Sequence, residues 1–323
     1  MAAAASAALQ PPSAHRRLFS LAQALRQQPA SGLAVVAGAS PPAVRIAVVG
    51  CGSWGMTNHL PYLCGGEMRD GVVAEGLPSV AVVAVVDTSA ERRAAACEKF
   101  GIAASYATVE ELLQTERVDG LVICSAHVSH YSNCLPAVHL GIPCMVEKPM
   151  TATTADARAL VAAAQGAGAE LLVPCGWNFR WYSEKAAEMV AAGVVGDVQH
   201  VVCHMASSLE DLFAGRTDAS SKATWADKTR AGGYGWGQMS HSLAWVFQVS
   251  GLKPESVYCV SGQAPETGVD YYSAAAVRCR SGATISLSGA ATIPSHVAQL
   301  TANSHGFHLD VRIFGSAGVR RVL

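Results

Sequence analysis

Six consecutive residues, Gly50-Cys51-Gly52-Ser53-Trp54-Gly55, follow the pattern G-x-G-x-x-G, the spacing that cradles a pyrophosphate. Gly50 allows a tight turn, Gly52 lets the backbone approach the phosphates, and Gly55 lets the next helix pack on the preceding strand while its first amides face the anion. Ser53 and Trp54 complete the turn and join the glycines as candidate cofactor contacts. A carboxylate follows at Asp87, where it can accept hydrogen bonds from ribose hydroxyls; this favours NAD, with NADP as the alternative. A third group is Glu147-Lys148-Pro149, in which Pro149 fixes its own φ and so directs an ammonium.

Each of these groups needs a strand to present it. Val44 to Val49 (VRIAVV) runs directly into the glycine turn, Val80 to Val86 ends at Asp87, and Cys144 to Val146 ends at Glu147 and Lys148. Asp87 lies 32 residues beyond Gly55, against about 20 in the usual motif, and the Gly-rich stretch Gly65 to Pro78 reads as a loop insertion. Helices are expected over Glu91 to Phe100, Val109 to Thr115 and Leu135 to Leu140, and a strand over Asp119 to Cys124. Strands alternating with short helices predict an α/β domain with a Rossmann-type, doubly wound parallel sheet over residues 45–172, whose ligands bind beyond the C-terminal strand ends.

Composition narrows the function. The chain has 323 residues, 50% hydrophobic and 15% charged, with 23 Lys+Arg against 24 Asp+Glu. That balance excludes a nucleic-acid binder, which needs a basic excess, and no apolar run is long enough to cross a membrane. Ten cysteines occur without a CxxC pair, so no zinc or dithiol site is expected and no metal is assigned; they read as buried hydrophobes of a reducing compartment.

Residues 1–44 carry Arg16, Arg17 and Arg26 but no acid, the first being Glu67, and Leu18, Leu21, Ala22 and Leu25 share one helical face. This is the composition of an organellar transit peptide, mitochondrial in preference to plastid. The alternative is a disordered extension without an address, on a cytoplasmic protein.

The sequence resembles the Gfo/Idh/MocA oxidoreductases, the glucose-fructose oxidoreductase and inositol dehydrogenase family, over roughly residues 44 to 318. The resemblance is carried by Gly50 to Gly55, Val118 to His130 (VDGLVICSAHVSH), Gly141 to Met150 (GIPCMVEKPM), Gly176 to Arg180 (GWNFR) and Gly232 to His241 (GGYGWGQMSH). It implies that Lys148 sits by the nicotinamide and the substrate hydroxyl, and that His241 stands close by. A neutral imidazole can take the hydroxyl proton as the carbon gives up hydride, and an ammonium stabilises the developing alkoxide. His241 is therefore expected as base and Lys148 as electrostatic partner. Glu147, Ser125, His127 and His130 would border the cofactor, or serve only as hydrogen-bonded loop residues. Asn178, Arg180, Trp236 and Gln238 are candidate substrate contacts, and Arg180 could orient a polyol oxygen or form a surface ion pair.

Two departures stand out. Many relatives carry Asp four residues before this histidine, where the chain has Gly237, and a Thr-Pro-Asn element where it has Ser125-Ala126-His127.

Residues 173–323 change character. Strand-like runs over Val198 to Met205, Ser256 to Ser261, Tyr272 to Cys279, Ala283 to Ser288 and Phe307 to Phe314 predict a C-terminal α+β domain with a mainly antiparallel open sheet, and Ser240 to Val249 reads as a helix stopped at Gly251. By resemblance that sheet supports a homo-oligomer, and the C-terminus at Leu323 looks truncated. Trp177, Trp181, Trp225, Tyr234 and Trp236 could stack on a sugar ring or belong to the core. The expected function is hydride transfer between NAD(P) and a secondary alcohol or carbonyl of a sugar, polyol or similar small molecule. The alternatives are a non-catalytic NAD(P) sensor or a reductase of a C=C or C=N bond.

Overall fold

The computed structural model describes residues 43–65, 79–217, 224–230, 232–293 and 307–321. The expected transit peptide and the Gly65 to Pro78 insertion lie almost entirely outside them.

The first half alternates strand and helix: β1 (Val44–Val49), a π-helical turn (Gly55–His59) into α1 (Leu60–Leu63), β2 (Val80–Val86), α2 (Ala90–Phe100), β3 (Ala104–Tyr106), α3 (Val109–Thr115), β4 (Gly120–Ile123), α4 (His130–His139), β5 (Cys144–Val146), α5 (Thr154–Ala167) and β6 (Leu171–Leu172). All six strands pair in parallel, in the order β3-β2-β1-β4-β5-β6. Successive side chains of a strand face opposite ways. Ala47, Val49, Leu121 and Ile123 therefore pack under α3, α4 and α5, while Val48, Val85 and Val122 pack with Leu60, Ala96 and Ile102 on the other face.

Helix starts are written locally. Ser89, Thr108 and Thr153 accept hydrogen bonds from the amides of Arg92, Glu111 and Asp156, each cap contributing about 1 kcal/mol. Helix α4 begins at His130, five residues before the expected start: its buried residues His130, Cys134, Ala137 and Val138 keep helical spacing, but the first two are His and Cys, so the start of the helix carries no aliphatic signal.

The second half holds α6 (Trp181–Ala191), β7 (Val198–Ser207), α7 (Glu210–Phe213), a second π-helical turn (Gly235–Met239) into α8 (Ser240–Ser250), β8 (Pro254–Gln263), β9 (Asp270–Cys279), β10 (Thr284–Ala290), β11 (Phe307–Gly315) and β12 (Gly318–Arg321). Its sheet runs β12-β11-β7-β10-β9-β8, antiparallel except for the parallel central pair β7 and β10. One face is closed by α6 and α8, with Trp245 fully buried and its indole donating to Ser183 Oγ at 2.7 Å. The strand β8 at the edge leaves Val257, Tyr258 and Val260 exposed, with Tyr272 beside them on β9. No helix of the described residues is long and apolar enough to cross a membrane.

Candidate active site

The sheet order places β1 and β4 side by side with their onward chains running to opposite sides, which opens a crevice at the C-terminal strand ends. Four strand ends meet there: Gly50 after β1, Asp87 after β2, Ser125 after β4, and Glu147 with Lys148 after β5. Backbone hydrogen bonds fix their levels, from Gly50 N to Val86 O (2.7 Å), Cys124 N to Val49 O (2.8 Å) and Glu147 N to Ile123 O (2.9 Å).

The turn after β1 fits a dinucleotide pyrophosphate by its shape. Gly50 has φ +107°, and a Cβ there would lie 2.6 Å from Ser125 N; one on Gly55 would lie 2.1 Å from Gly50 O. A Cβ on Gly52, by contrast, would meet no protein atom within 4 Å, so the space beside it is open to a ligand. Asp87 Oδ2 accepts from Cys51 N at 2.8 Å and Oδ1 from Ser89 N at 2.9 Å. Each oxygen keeps a lone pair for a ribose hydroxyl.

Glu147 turns toward this glycine turn. Its carboxylate accepts from Trp54 Nε1 at 2.8 Å, pairs with His59 Nε2 at 2.9 Å and accepts from Lys148 N. Burial works against its ionisation, yet the bonds from His59 and Trp54 hold its pKa below the ordinary carboxylate value. His59 had no signal in the sequence beyond its place in the turn's helix.

Lys148 points the other way, across to the second half of the chain. Its ammonium donates to Gly237 O at 3.0 Å and lies 4.8 Å from the centre of the Trp225 ring. Burial lowers its pKa. The Lys148–Pro149 bond is cis. A second link between the halves runs from Trp236 Nε1 to Thr151 O at 3.2 Å.

The π-helical turn that supplies Gly237 leads into α8, whose second residue is His241. Its ring stacks at a tilt of 31° on Trp177, with centroids 5.4 Å apart, and its Nδ1 is buried without a hydrogen-bond partner. Burial, and then the positive charge of Lys148, push its pKa down to about 4. The imidazole is therefore neutral at pH 7, with Lys148 close enough to be felt.

The remaining candidates divide. Ser125 Oγ accepts from Asn133 Nδ2 at 2.9 Å. His127 is buried, edge to face with Trp225 at 4.8 Å. His130, expected to border the cofactor, is fully buried with Nε2 at 2.9 Å from Ser125 O and Nδ1 at 2.9 Å from Pro149 O. Burial lowers the pKa of this ring, so its one N–H donates to one of the two carbonyls while the other nitrogen lies against the second; His130 packs between the strand ends and is not presented to a ligand. Gln238 is buried in the π-helical turn, and Trp236 is partly exposed beside it.

Asn178 holds Gln248 through its carbonyl, and Arg180 is exposed at the start of α6, joined to no carboxylate among the described residues. Of the aromatic group, Tyr234 belongs to the core, and Trp181 lines a separate cavity of about 200 Å³ with Lys185 and Ile313. Trp177, Trp225 and Trp236 stand at the crevice. Among the described residues no three His, Cys, Asp or Glu side chains gather as metal ligands.

Known proteins share both halves. Residues 44–174 match the family described as "Oxidoreductase family, NAD-binding Rossmann fold", and residues 183–320 match "GFO/IDH/MocA C-terminal domain". The D-apiose dehydrogenase of Paraburkholderia graminis is 36% identical over 135 residues, 42% of this chain and 32% of that protein. Trans-1,2-dihydrobenzene-1,2-diol dehydrogenase of Mus musculus is 28% identical over 201 residues, 61% of this chain and 57% of that protein. The chain thus spans less than two thirds of either relative. Among solved structures, the WlbA dehydrogenase from Bordetella pertussis, in complex with NADH and UDP-GlcNAcA, shares the fold with a TM-score of 0.71 at 21% identity, over 88% of this chain and 75% of that one.

Proposed function

This chain belongs to the Gfo/Idh/MocA oxidoreductase family, and from that premise we propose that it is an NAD-dependent dehydrogenase acting on a secondary alcohol, or the matching carbonyl, of a sugar or polyol. Relatives named for D-apiose and for a dihydrodiol favour that substrate class. The amides of the Gly50 to Gly55 turn would hold the pyrophosphate and Asp87 the adenosine ribose. Held by these residues, NAD would supply the hydride acceptor, and its reduced form the donor, for the carbinol carbon.

The rest is done by two side chains. The Lys148 ammonium donates to the substrate oxygen and stabilises the negative charge that develops on it. His241, neutral at pH 7, takes the hydroxyl proton as the C=O bond forms and gives it back in the reverse direction. Trp177, stacked on the imidazole, fixes the plane of the ring.

The observation that carries this proposal is the bond from Lys148 Nζ to Gly237 O, which brings an amine from one sheet's edge to the turn that presents His241. The test is NADH binding by fluorescence, then hydride transfer to pentoses, hexoses and polyols. Lys148→Met and His241→Asn are each expected to lower kcat by roughly 100-fold or more while leaving NADH bound. Unchanged turnover in both would overturn the proposal, and tight NADH binding without turnover on any of these substrates would favour a nucleotide sensor.

Two further parts of the proposal concern assembly and address. The apolar strip of Tyr258, Val260 and Tyr272, which share one face of the sheet, fits a homodimer through that open face; Tyr258→Glu is expected to halve the mass seen by light scattering. The acid-free, Arg-bearing segment 1–44 is proposed to direct import into an organelle. Fusing it to a fluorescent protein and finding diffuse cytosolic signal would refute that.

A further inference from the structure

Lys148 is half-buried, its ammonium turned inward toward the second half of the chain, a placement that favours a counter-charge. None of the described carboxylates forms an ion pair with it. The adjacent Glu147 is turned away to Trp54 and His59. What meets the ammonium is one carbonyl, Gly237 O at 3.0 Å, and the face of Trp225, 4.8 Å from charge to ring centre. An indole face is the best of the aromatic partners for a cation, and its attraction grows as water is excluded.

Gly237 is part of the same arrangement. A Cβ at this position would stand 2.5 Å from Trp225 Cζ3, so a side chain at 237 and the ring in its present place exclude one another. The ring is braced on two other sides, edge to face with His127 at 4.8 Å and with Phe213 at 6.2 Å. The backbone beneath it is held as well, Trp225 O accepting from Gly233 N at 3.0 Å. Three elements therefore fix one ring against one ammonium, with space made for it by the missing side chain at 237.

We infer that Trp225 is a positioning residue of this site, its indole face holding the Lys148 ammonium in place in the space left by the missing side chain at 237. The inference rests on the proposed pairing of Lys148 with His241. A neutral ring as the partner has a chemical consequence: the ammonium is attracted without being neutralised. Its full charge is left to act on a substrate oxygen and on His241, and no carboxyl group is placed at 237 to pass protons.

The test uses the protein without cofactor and reads the His241 imidazole by NMR titration, its resonance assigned by loss in His241→Asn. The charged groups acting on that imidazole are Lys148 and Glu147. Trp225→Leu removes the ring and keeps apolar bulk, so the ammonium becomes mobile and the His241 pKa is expected to rise by roughly one unit, the influence of one nearby charge. Trp225→Phe, which keeps an aromatic face, is expected to give less than half that rise. In a Lys148→Met background, Trp225→Leu is expected to add almost nothing.

Equal rises in Phe and Leu variants, or an undiminished rise without Lys148, would overturn the inference and leave Trp225 as packing alone. Should Trp225→Leu fail to fold, Gly237→Ala displaces the ring by direct contact and is expected to reproduce the rise; no rise there would overturn the inference equally. Because these titrations need neither NAD nor substrate, they stand apart from the outcome of the hydride-transfer assays.

Discussion

His130 bridges the ends of two adjacent strands, its Nε2 2.9 Å from Ser125 O after β4 and its Nδ1 2.9 Å from Pro149 O after β5. Since Pro149 follows Lys148 directly, the ring also sets the height from which that lysine crosses the crevice. His130→Leu would leave one buried carbonyl without its donor, at a cost of about 1–3 kcal/mol. Urea unfolding is the measurement, and Asn, able to reach one carbonyl, is expected to recover part of the loss.

The glycine turn separates folding from binding. Gly55→Ala forces a Cβ to 2.1 Å from Gly50 O and is expected to lower both melting temperature and NADH affinity. Gly52→Ala meets nothing within 4 Å and should leave the melting temperature in place while NADH affinity falls at least roughly tenfold, because the methyl group fills space meant for phosphate. Equal affinity in wild type and Gly52→Ala would remove the pyrophosphate from this turn.

Asp87 is expected to set the choice between cofactors. Its carboxylate would repel the 2′-phosphate of NADPH and accept from the free ribose hydroxyls of NADH. Asp87→Ser is expected to weaken NADH binding by roughly tenfold, about 1.4 kcal/mol, and to narrow the preference over NADPH. Calorimetric titration of both nucleotides checks this; tighter binding of NADPH by the wild type would refute it.

Acid stability should follow His241. Its folded pKa is near 4 against an ordinary 6.5, so the folded protein resists a proton that the unfolded chain accepts. The stability this confers is complete above about pH 6.5 and is lost as the pH falls toward 4, in total of the order of 3 kcal/mol. His241→Gln is expected to flatten the stability curve over that window. Lys148→Met removes a repelling charge, so it should raise the imidazole pKa and shift the loss to a narrower range just below 6.5.

Much of the first half was legible because its signals are local. A β-branched run, a glycine turn and a terminal acid each depend on neighbours in sequence, and Gly50, Asp87 and Lys148 do converge on one crevice. The pairing of β7 with β10 in parallel was not legible, since a strand's own alternation does not name its partner. Nor was the role of His130: a histidine in a loop carries no mark of facing two carbonyls. Gly237 was visible as a departure from the family pattern, but its reason lay in a ring twelve residues upstream, at Trp225, and only the folded chain shows that the two share one volume. His59 reaches Glu147 through the π-helical turn, whose altered rise no apolar spacing announces.

The amides of Cys51 and Ser89 already grip both oxygens of Asp87 before any nucleotide arrives. An incoming sugar therefore meets an acceptor whose direction is frozen, and the loss of rotational freedom that would otherwise weaken its capture has been incurred during folding. Recognition at that end of the crevice is expected to be lock-like, with no rearrangement of the carboxylate on binding.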